Sequence, residues 1–269
     1  MKLHKFIFVA VLVIIISVAA NAAEELTVPV KLTIMYDNQS GDDPLQAAGG
    51  FSCLVEIPSH AILFDAGSNP IMLAGNFRKL NADPDRIDTV VISHMHFDHF
   101  NGLRWLVREN NHLSILLPES ASQKAIKALG YKPEAITLVS ETRSICEGIF
   151  TTGTMPYEIP EQALYIDTVD GIVVVTGCSH LGIVRILKKV KELSGKEIYL
   201  VLGGFHLRDS SREQVEKTLG EIKALGVKKV GPAHCTGGQA VKMFQNLWGE
   251  NCVPMGVGKK LQFNLKKRP

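Results

Sequence analysis

The sequence lacks an excess of charge of either sign. Its 269 residues include 29 lysines and arginines and 27 aspartates and glutamates, which leaves a net charge of +2. Both signs are mixed along the chain, so there is no basic stripe of the kind that holds nucleic acid. The closing Lys266, Lys267 and Arg268 form a short run that we expect to be a solvated tail. We therefore predict a small-molecule substrate and no nucleic-acid partner.

The chain also lacks linkers rich in proline, glycine or serine, and it has no low-complexity tract. Its length suits one two-layered domain, and 46% hydrophobic residues are enough for a large core. We therefore predict one domain over residues 23–269. The oligomeric state does not follow from the sequence.

The amino-terminal apolar run lacks the length of a membrane span. It covers residues 6–20 after a positively charged start, and a spanning helix needs roughly 20 apolar residues. The Ala-Asn-Ala sequence at residues 20–22 fits cleavage after Ala22 or Ala23, so residues 1–22 are predicted to be a signal peptide. An uncleaved anchor is the alternative. The mature protein is accordingly predicted to be periplasmic or secreted, without stable membrane association after cleavage.

The cysteines do not define a disulfide framework. They are Cys53, Cys146, Cys178, Cys235 and Cys252. The odd count leaves at least one free thiol even in an oxidising compartment. Cys178 and Cys235 each lie close to a histidine in the sequence, so we associate them with a metal site. The alternative is that both are small buried packing residues.

The pattern of apolar residues changes along the chain. The first part favours hairpins, with strands predicted at 27–36, 52–57 and 61–65. After residue 88, short apolar strands alternate with amphipathic helices. The later strands are predicted at 89–92, 113–117, 171–176, 198–202 and 229–231, and the helices around Leu103 to Val107 and at 120–129, 183–193, 211–225 and 239–247. This order predicts a mixed sheet system covered by helices, an α+β fold.

Two polar stretches are predicted to be loops that determine substrate specificity. They are residues 37–50 and residues 150–163. Loops near a site often carry substrate contacts. Glu158 and Glu161, in the second loop, are candidates to reach the site.

One local pattern occurs three times: an apolar strand ends, a histidine-bearing turn follows, and a glycine then precedes a helix. It occupies residues 90–106, 173–187 and 230–244. Strand ends that feed helices line up at one edge of a sheet, where ligands tend to bind. The pattern therefore predicts one shared metal site. His60 and His112 lie outside it and are predicted to be surface residues.

The first of these turns carries the densest set of metal-binding residue types. Imidazole and carboxylate groups hold zinc, iron or manganese. The spacing lets His94 and His96 bind one ion while Asp98 and His99 bind a second. Gly102 then allows the backbone to bend closely into the helix. The alternative is a polar turn whose histidines face solvent, a rare arrangement directly after a buried strand.

These residues resemble the signature of the metallo-β-lactamase superfamily. The resemblance rests on SHMHFDHFNGL at residues 93–103 and on LFDAG at residues 63–67. The later segments 176–180, 203–207 and 233–237 resemble one branch, the 7,8-dihydropterin-6-methyl-4-(β-D-ribofuranosyl)-aminobenzene-5′-phosphate synthase-like proteins. The resemblance implies an αββα sandwich of two mixed β-sheets flanked by helices, with metal at the sheet edge.

The resemblance also implies roles for individual residues. The implied ligands are His94 and His96 for a first metal and Asp98, His99 and His234 for a second, with Asp65 orienting them from behind. The chain departs from the family because it has no separate intermediate histidine and carries Cys178 where relatives have aspartate. We predict His180 as the replacement ligand, with Cys178 either a thiolate ligand or a bystander. One or two divalent ions are expected, zinc first, with iron or manganese as alternatives.

These expectations lead to a main functional hypothesis and three alternatives. The main hypothesis is an exported hydrolase in which a metal-bound hydroxide attacks a phosphoester or cyclic ester. Asp98 would steer the proton of the attacking water, and His206 would stabilise the oxyanion or contact the substrate. One alternative is a synthase-like transferase of the dihydropterin branch, although predicted export argues against its phosphorylated substrates. The others are a non-catalytic metal-binding protein and a true β-lactamase.

Overall fold

The structure, a computed structural model, describes residues 27–41 and 45–266. The predicted signal peptide, residues 42–44 of the first predicted loop and residues 267–269 of the predicted tail lie outside the described residues. Lys266 was expected in that tail but instead ends the last strand. Among the described residues, no helix combines the length and the apolar character needed to cross a membrane.

Strands come first in the chain, and helices then alternate with them. The strands are β1 (Thr27–Tyr36), β2 (Ser52–Ile57), β3 (His60–Phe64), β4 (Thr89–Val91), β5 (Ser114–Pro118), β6 (Ile136–Val139), β7 (Arg143–Cys146), β8 (Ile149–Thr151), β9 (Leu164–Thr168), β10 (Gly171–Thr176), β11 (Ile198–Gly204), β12 (Lys229–Ala233) and β13 (Lys260–Lys266). The helices are α1 (Pro70–Lys79), α2 (Phe97–Phe100), α3 (Leu103–Glu109), α4 (Gln123–Leu129), α5 (Ile183–Ser194), α6 (Arg212–Ala224) and α7 (Gly238–Trp248).

The strands form one hydrogen-bonded path that folds into two layers. Its order is β12-β11-β10-β9-β13-β1-β2-β3-β4-β5-β6, with β8 on β9 and β7 on β8. The two halves meet between β13 and β9, where the pairing is Leu265 with Thr168. Pairing is parallel from β3 to β6 and from β10 to β12, and antiparallel at the β2–β3 hairpin and between β9 and β10. Both halves are therefore mixed, as predicted.

Three apolar clusters define four layers. The middle cluster lies between the two halves of the sheet and includes Leu32 of β1 and Val173 of β10. One outer cluster packs α5, α6 and α7 against β10 to β12, with Ile186 and Phe244 inside it. The other packs α1, α3 and α4 against β3 to β5, around Leu73. The αββα sandwich is confirmed.

Strand β10 shows how the sequence produces this layering. Successive side chains of a strand point to opposite faces of the sheet. Val173 and Val175 belong to the middle cluster, whereas Ile172 and Val174 belong to the cluster under the helices. A strand buried on both faces needs a continuous apolar run, which is what residues 171–176 supply.

The ends of the predicted helices agree with local capping signals. Helix α6 starts with a capping box in which Ser211 and Gln214 satisfy each other's backbone N–H groups. Helices α4 and α5 end at Gly130 and Gly195, both in the left-handed conformation that glycine adopts without strain. The prediction missed α1, α2, β6, β7, β8, β9 and β13, and β8 takes residues 150 and 151 from the second predicted loop.

Gly102 is a point where two backbones approach closely. A Cβ at this position would clash with the carbonyl oxygen of Ala66, and backbone cannot yield as a side chain would. We predict that Gly102→Ala lowers the free energy of unfolding by about 1–3 kcal/mol, the usual cost of overpacking. Urea unfolding followed by circular dichroism measures this change.

Gly220→Ala is the matched control. Gly220 lies on the exposed side of α6, and a methyl group added there would meet no atom outside its own helix within 4 Å. The substitution should therefore raise stability by roughly 0.5–1 kcal/mol, because alanine loses less entropy in a helix. Equal unfolding midpoints for Gly102→Ala and the unsubstituted protein would contradict the close-approach argument.

Candidate metal centre

Three histidine-bearing turns meet at one edge of the sandwich. His94 and His96 follow β4, and His180 follows β10. The Nε2 atoms of His94 and His180 lie 3.2 Å apart, and the ring centroids of His96 and His180 lie 4.8 Å apart. One ligand atom from each of the three residues falls within 4.8 Å of the others. We call this group the first triad.

A second group of three lies beside it. His99 Nε2 is 3.1 Å from His234 Nε2, and Asp98 Oδ2 is 3.7 Å from the first and 3.4 Å from the second. Asp98 and His99 come from the turn after β4, whereas His234 follows β12. We call Asp98, His99 and His234 the second triad.

A third group contains both sulfur atoms of the region. Ligand atoms of Cys178, His206 and Cys235 lie within 4.8 Å of one another, and we call these residues the thiol triad. Cys178 Sγ is 3.2 Å from His99 Nε2, so the thiol triad contacts the second. His94, His99 and Cys178, one residue from each triad, also lie within 4.8 Å of one another.

The imidazoles of the second triad are held in one tautomer. The Nδ1 atom of His99 donates to Asp65 Oδ2 at 2.7 Å, and the Nδ1 atom of His234 donates to Asn38 Oδ1 at 2.8 Å. With its proton on Nδ1, each neutral ring carries a lone pair on Nε2. When both rings are neutral, two lone pairs therefore face each other across 3.1 Å. Zinc–nitrogen bonds of about 2.0–2.1 Å place two tetrahedral ligands about 3.3 Å apart, so a cation fits this arrangement.

Asp65 connects the first and second triads through hydrogen bonds on the Nδ1 side of their rings. Its carboxylate is fully buried and accepts from Ser93 N at 2.6 Å, from Ser93 Oγ at 2.7 Å and from His99 Nδ1 at 2.7 Å. Because Ser93 Oγ donates to Asp65, it accepts from His94 Nδ1 at 2.9 Å. That bond leaves the Nε2 lone pair of His94 directed at His180. Supporting contacts of this kind orient metal ligands.

Burial keeps three of these histidines neutral. Burial first, and then the neighbouring imidazoles, lower the pKa of His94. Burial and His206 lower the pKa of His180 to about 4, and burial and His99 lower that of His234 to about 4. Burial acts in the same direction on His99, but the Asp65 carboxylate outweighs it and raises the pKa of that ring. Neutral imidazole is the form that binds metal.

Glu161 holds the turn that carries His180. Its buried carboxylate accepts from Ser179 N at 3.0 Å and from Leu181 N at 2.9 Å. Burial raises the pKa of Glu161 to about 7. Glu161, which was expected to reach the site, therefore contacts it through the backbone N–H groups of this turn. Glu158 is exposed to solvent.

Asp37 and Asn38 are site residues that the sequence did not single out. Asp37 accepts from His234 N at 2.9 Å, and Asn38 Oδ1 accepts from the ring of the same histidine. Burial raises the pKa of Asp37 to about 6. Both residues lie in the first predicted loop, directly after β1, where no local motif distinguishes them.

The two cysteines of the thiol triad are not simply packing residues. Contact with Cys178, and then with His206, lowers the pKa of the Cys235 thiol, whereas contact with Cys235 and burial raise that of Cys178. Cys235 is only partly buried. All five cysteines lie in the described part of the chain and are free thiols there. His206 is exposed, as are His60 and His112.

A cleft of about 700 Å³ opens beside His180 and His206. Pockets of about 300–1,000 Å³ hold small molecules. Tyr157 lines the cleft, and the guanidinium carbon of Arg185 lies 5.8 Å from the centre of its ring. Lys188 adds a second positive charge. The cleft therefore offers an aromatic face and cations next to the metal ligands.

Known proteins resemble this chain over most of its length. A family model of the metallo-beta-lactamase superfamily matches residues 46–234. A Methanocaldococcus jannaschii protein, 7,8-dihydropterin-6-methyl-4-(beta-D-ribofuranosyl)-aminobenzene-5′-phosphate synthase, is 29% identical over 86% of this chain and 95% of its own. An uncharacterized protein of the same organism, MJ0448, is 32% identical over 79% of this chain and 93% of its own.

A solved structure shows the same fold. The crystal structure of Tm1679, described as a metal-dependent hydrolase of the beta-lactamase superfamily, is 29% identical to this chain. It superposes with a TM-score of 0.72, covering 86% of this chain and 98% of its own. The fold and the resemblance predicted from residues 63–67 and 93–103 are thereby confirmed.

The comparisons overturn the prediction of an exported hydrolase. The curated relative with a named reaction is a synthase, which is the alternative that the segments 176–180, 203–207 and 233–237 supported. The imidazoles and carboxylate predicted as ligands do lie together, but they do not by themselves specify hydrolysis. Since the family model spans more than half of the sequence, the chain belongs to the metallo-β-lactamase superfamily and is an enzyme of that superfamily.

Proposed function

We propose that the protein is a metal-dependent synthase that joins the 6-methylene carbon of a dihydropterin to the nitrogen of an aminobenzene carrying a ribofuranosyl 5′-phosphate. The observation that carries this proposal is the 29% identity to the M. jannaschii synthase over 95% of that protein. The basic, aromatic cleft beside the histidines supports it, because both substrates contain an aromatic ring and a phosphate group.

We propose the first and second triads as two sites for divalent ions. Zinc suits them because imidazole with one carboxylate is a common zinc ligand set, and iron or manganese bind similar groups. The convergence of Nε2 atoms, at 3.1 Å between His99 and His234 and 3.2 Å between His94 and His180, supports this assignment. When bound, such ions would supply Lewis-acid stabilisation of negative charge on a departing oxygen.

The reaction forms one bond and breaks another at the methylene carbon. The amine nitrogen attacks this carbon, the carbon–oxygen bond breaks, and the oxygen group leaves with the electron pair. Hydroxide is a poor leaving group, so the pterin donor would carry a phosphate or diphosphate ester at that oxygen. The amine gives up one proton, which balances the equation.

Asp98 is the group that we assign to that proton. Its side chain is 37% exposed and stands at the open side of the second triad. His206 was expected to act beside it, but its ring contacts the Cys235 thiol. In this proposal Asp98 therefore accepts the amine proton. This role replaces the one expected from the sequence, in which Asp98 steers the proton of an attacking water.

The cleft would hold the two substrates in order. The exposed ring of Tyr157 can stack against a substrate ring. Arg185 and Lys188 would bind the 5′-phosphate through charge-assisted hydrogen bonds. Helix α5 begins at Ile183 without a side-chain cap, and its first residues line the cleft, so N–H groups of its first turn are available as donors.

The predicted signal peptide at residues 1–22, the mature domain at 23–269 and the periplasmic or secreted location stay predictions. Together with the proposed function they require that both substrates reach the mature protein outside the cytoplasm. No stable membrane association is expected after cleavage.

The proposed reaction can be tested directly. We expect the metal-loaded protein to convert the pterin ester and the phosphorylated ribofuranosyl aminobenzene into one joined product, detected by its mass. His96→Ala should abolish this product because it removes a ligand of the first triad. Cleavage of the pterin ester without joined product, at any amine concentration, would rule out the synthase.

The metal sites make a separate prediction. His180→Ala should lower the bound metal by about one ion per chain, since a zinc site needs three protein ligands. Asp65→Ala should weaken metal affinity about 10–100-fold, the usual effect of losing an orienting partner. Elemental analysis after dialysis measures both. His112→Ala, an exposed histidine outside the centre, is the control, and equal metal content in His180→Ala and this control would refute the assignment.

The phosphate-binding role of the cleft predicts a selective effect on KM. The double substitution Arg185→Ala and Lys188→Ala should raise KM for the phosphorylated amine about tenfold or more, since hydrogen bonds to charged groups contribute about 1.5–3 kcal/mol. KM for an amine lacking the phosphate should stay unchanged. Lys189→Ala is the control, because this lysine lies on the same helix but pairs with Glu192 at 3.0 Å. Equal effects on both amines would argue against phosphate binding here.

A further inference from the structure

The thiol triad is a cluster that the proposed reaction does not use. Cys178 follows β10, His206 follows β11 and Cys235 follows β12. These three strands are adjacent and parallel, so their carboxyl ends bring the three side chains to one edge. Two sulfur atoms and one imidazole nitrogen come within 4.8 Å of one another there.

The backbone around the triad is shaped to allow this approach. A Cβ at Gly204 would lie 2.6 Å from Cys235 Sγ and would clash with the carbonyl oxygen of Gly177. Only glycine therefore leaves room for the Cys235 side chain. The Cys235 thiol lies 3.5 Å from the carbonyl oxygen of Cys178, which holds the two cysteine-bearing turns together.

Unusual backbone conformations mark the same region. Ser179, His206 and His234 have φ values of 64°, 52° and 47°, in the left-handed region that residues other than glycine rarely occupy. Such conformations are energetically unfavourable and cluster at functional sites. Each lies in a turn that presents one of the triads. The turns are thus held in place against their local preference.

We propose that the thiol triad binds a third, thiophilic metal ion, adjacent to the two ions proposed for the first and second triads. Two thiolates and one imidazole favour zinc or monovalent copper over harder cations. Zinc–sulfur bonds of about 2.3 Å and zinc–nitrogen bonds of about 2.0–2.1 Å place such ligands roughly 3.6–3.8 Å apart. That separation fits within the 4.8 Å limit that the three ligand atoms satisfy.

The position of this site makes the centre trinuclear. One residue of each triad, namely His94, His99 and Cys178, lies within 4.8 Å of the other two. The rings of His180 and His206 are 4.3 Å apart, which joins the first triad to the thiol triad on a second side. His206 is exposed and Cys235 partly so, so the fourth coordination position of the third ion would face solvent at the cleft.

Cobalt provides the test, because a charge-transfer band in the near ultraviolet appears when a thiolate binds Co²⁺ and is absent when only imidazole and carboxylate bind it. The metal-stripped full chain is titrated with Co²⁺ alone under reducing conditions. We expect this band to appear and bound cobalt to reach three ions per chain. Cys235→Ser and Cys178→Ser should each remove the band and one ion. His206→Ala should shift the midpoint of the band to higher Co²⁺ concentration.

The controls separate this site from the other two. His96→Ala should keep the near-ultraviolet band while it loses visible cobalt absorption from the first triad. Cys252→Ala removes a buried thiol in an apolar cluster and should change neither signal. Retention of the visible absorption in Cys235→Ser shows that the variant folds.

Three results would overturn the proposal. The first is the absence of the band in the reduced protein. The second is a band that Cys178→Ser removes but Cys235→Ser leaves intact, because Cys178 would then belong to a neighbouring triad alone. The third is a Cys178–Cys235 disulfide that persists under reducing conditions. None of these results determines the outcome of the synthase assay, so each proposal can be refuted independently of the other.

Discussion

The centre depends on the buried carboxylate of Asp65. A carboxylate removed from water is costly unless hydrogen bonds and neighbouring charge compensate it. Asp65 receives that compensation from both polar groups of Ser93 and from the ring of His99. Each of these bonds also fixes a metal-binding group: Ser93 turns His94, and the direct contact turns His99. One buried charge therefore sets the orientation of ligands in two triads.

The same arrangement brings two pairs of Nε2 atoms close together. The Nε2 atoms of His99 and His234 are 3.1 Å apart, and those of His94 and His180 are 3.2 Å apart. Asn38 and Ser93 hold the ring protons of His234 and His94 on the far side, so these two rings direct Nε2 lone pairs at His99 and His180. Cations between the rings would accept these lone pairs, and binding energy would add to the stability of the fold.

Local signals in the sequence are sufficient to predict part of the metal centre. The turn after β4 has its ligands within a few residues, so composition and spacing alone predict them. His180 follows from the repeated strand–turn–helix layout, and the structure brings it to His94. Asp37 and Asn38 do not follow, because their partner His234 lies 197 and 196 residues away and no motif surrounds them. Strand β13 was missed for a similar reason, since its role comes from pairing with β1 at the other end of the chain.

The reaction class was predicted wrongly because the ligands do not encode it. Histidines and a carboxylate around cations can stabilise negative charge on an oxygen, whether that oxygen belongs to attacking water or to a departing ester. The choice between water and an amine as nucleophile depends on what the cleft holds next to the ions and on how well water is kept out. Tyr157 lies in the second loop and Arg185 and Lys188 lie on helix α5, so they come together only when α5 packs beside that loop. The metal-binding residue types therefore come from local motifs in the turns, whereas the features on which the proposed synthase activity depends come from the tertiary packing around them.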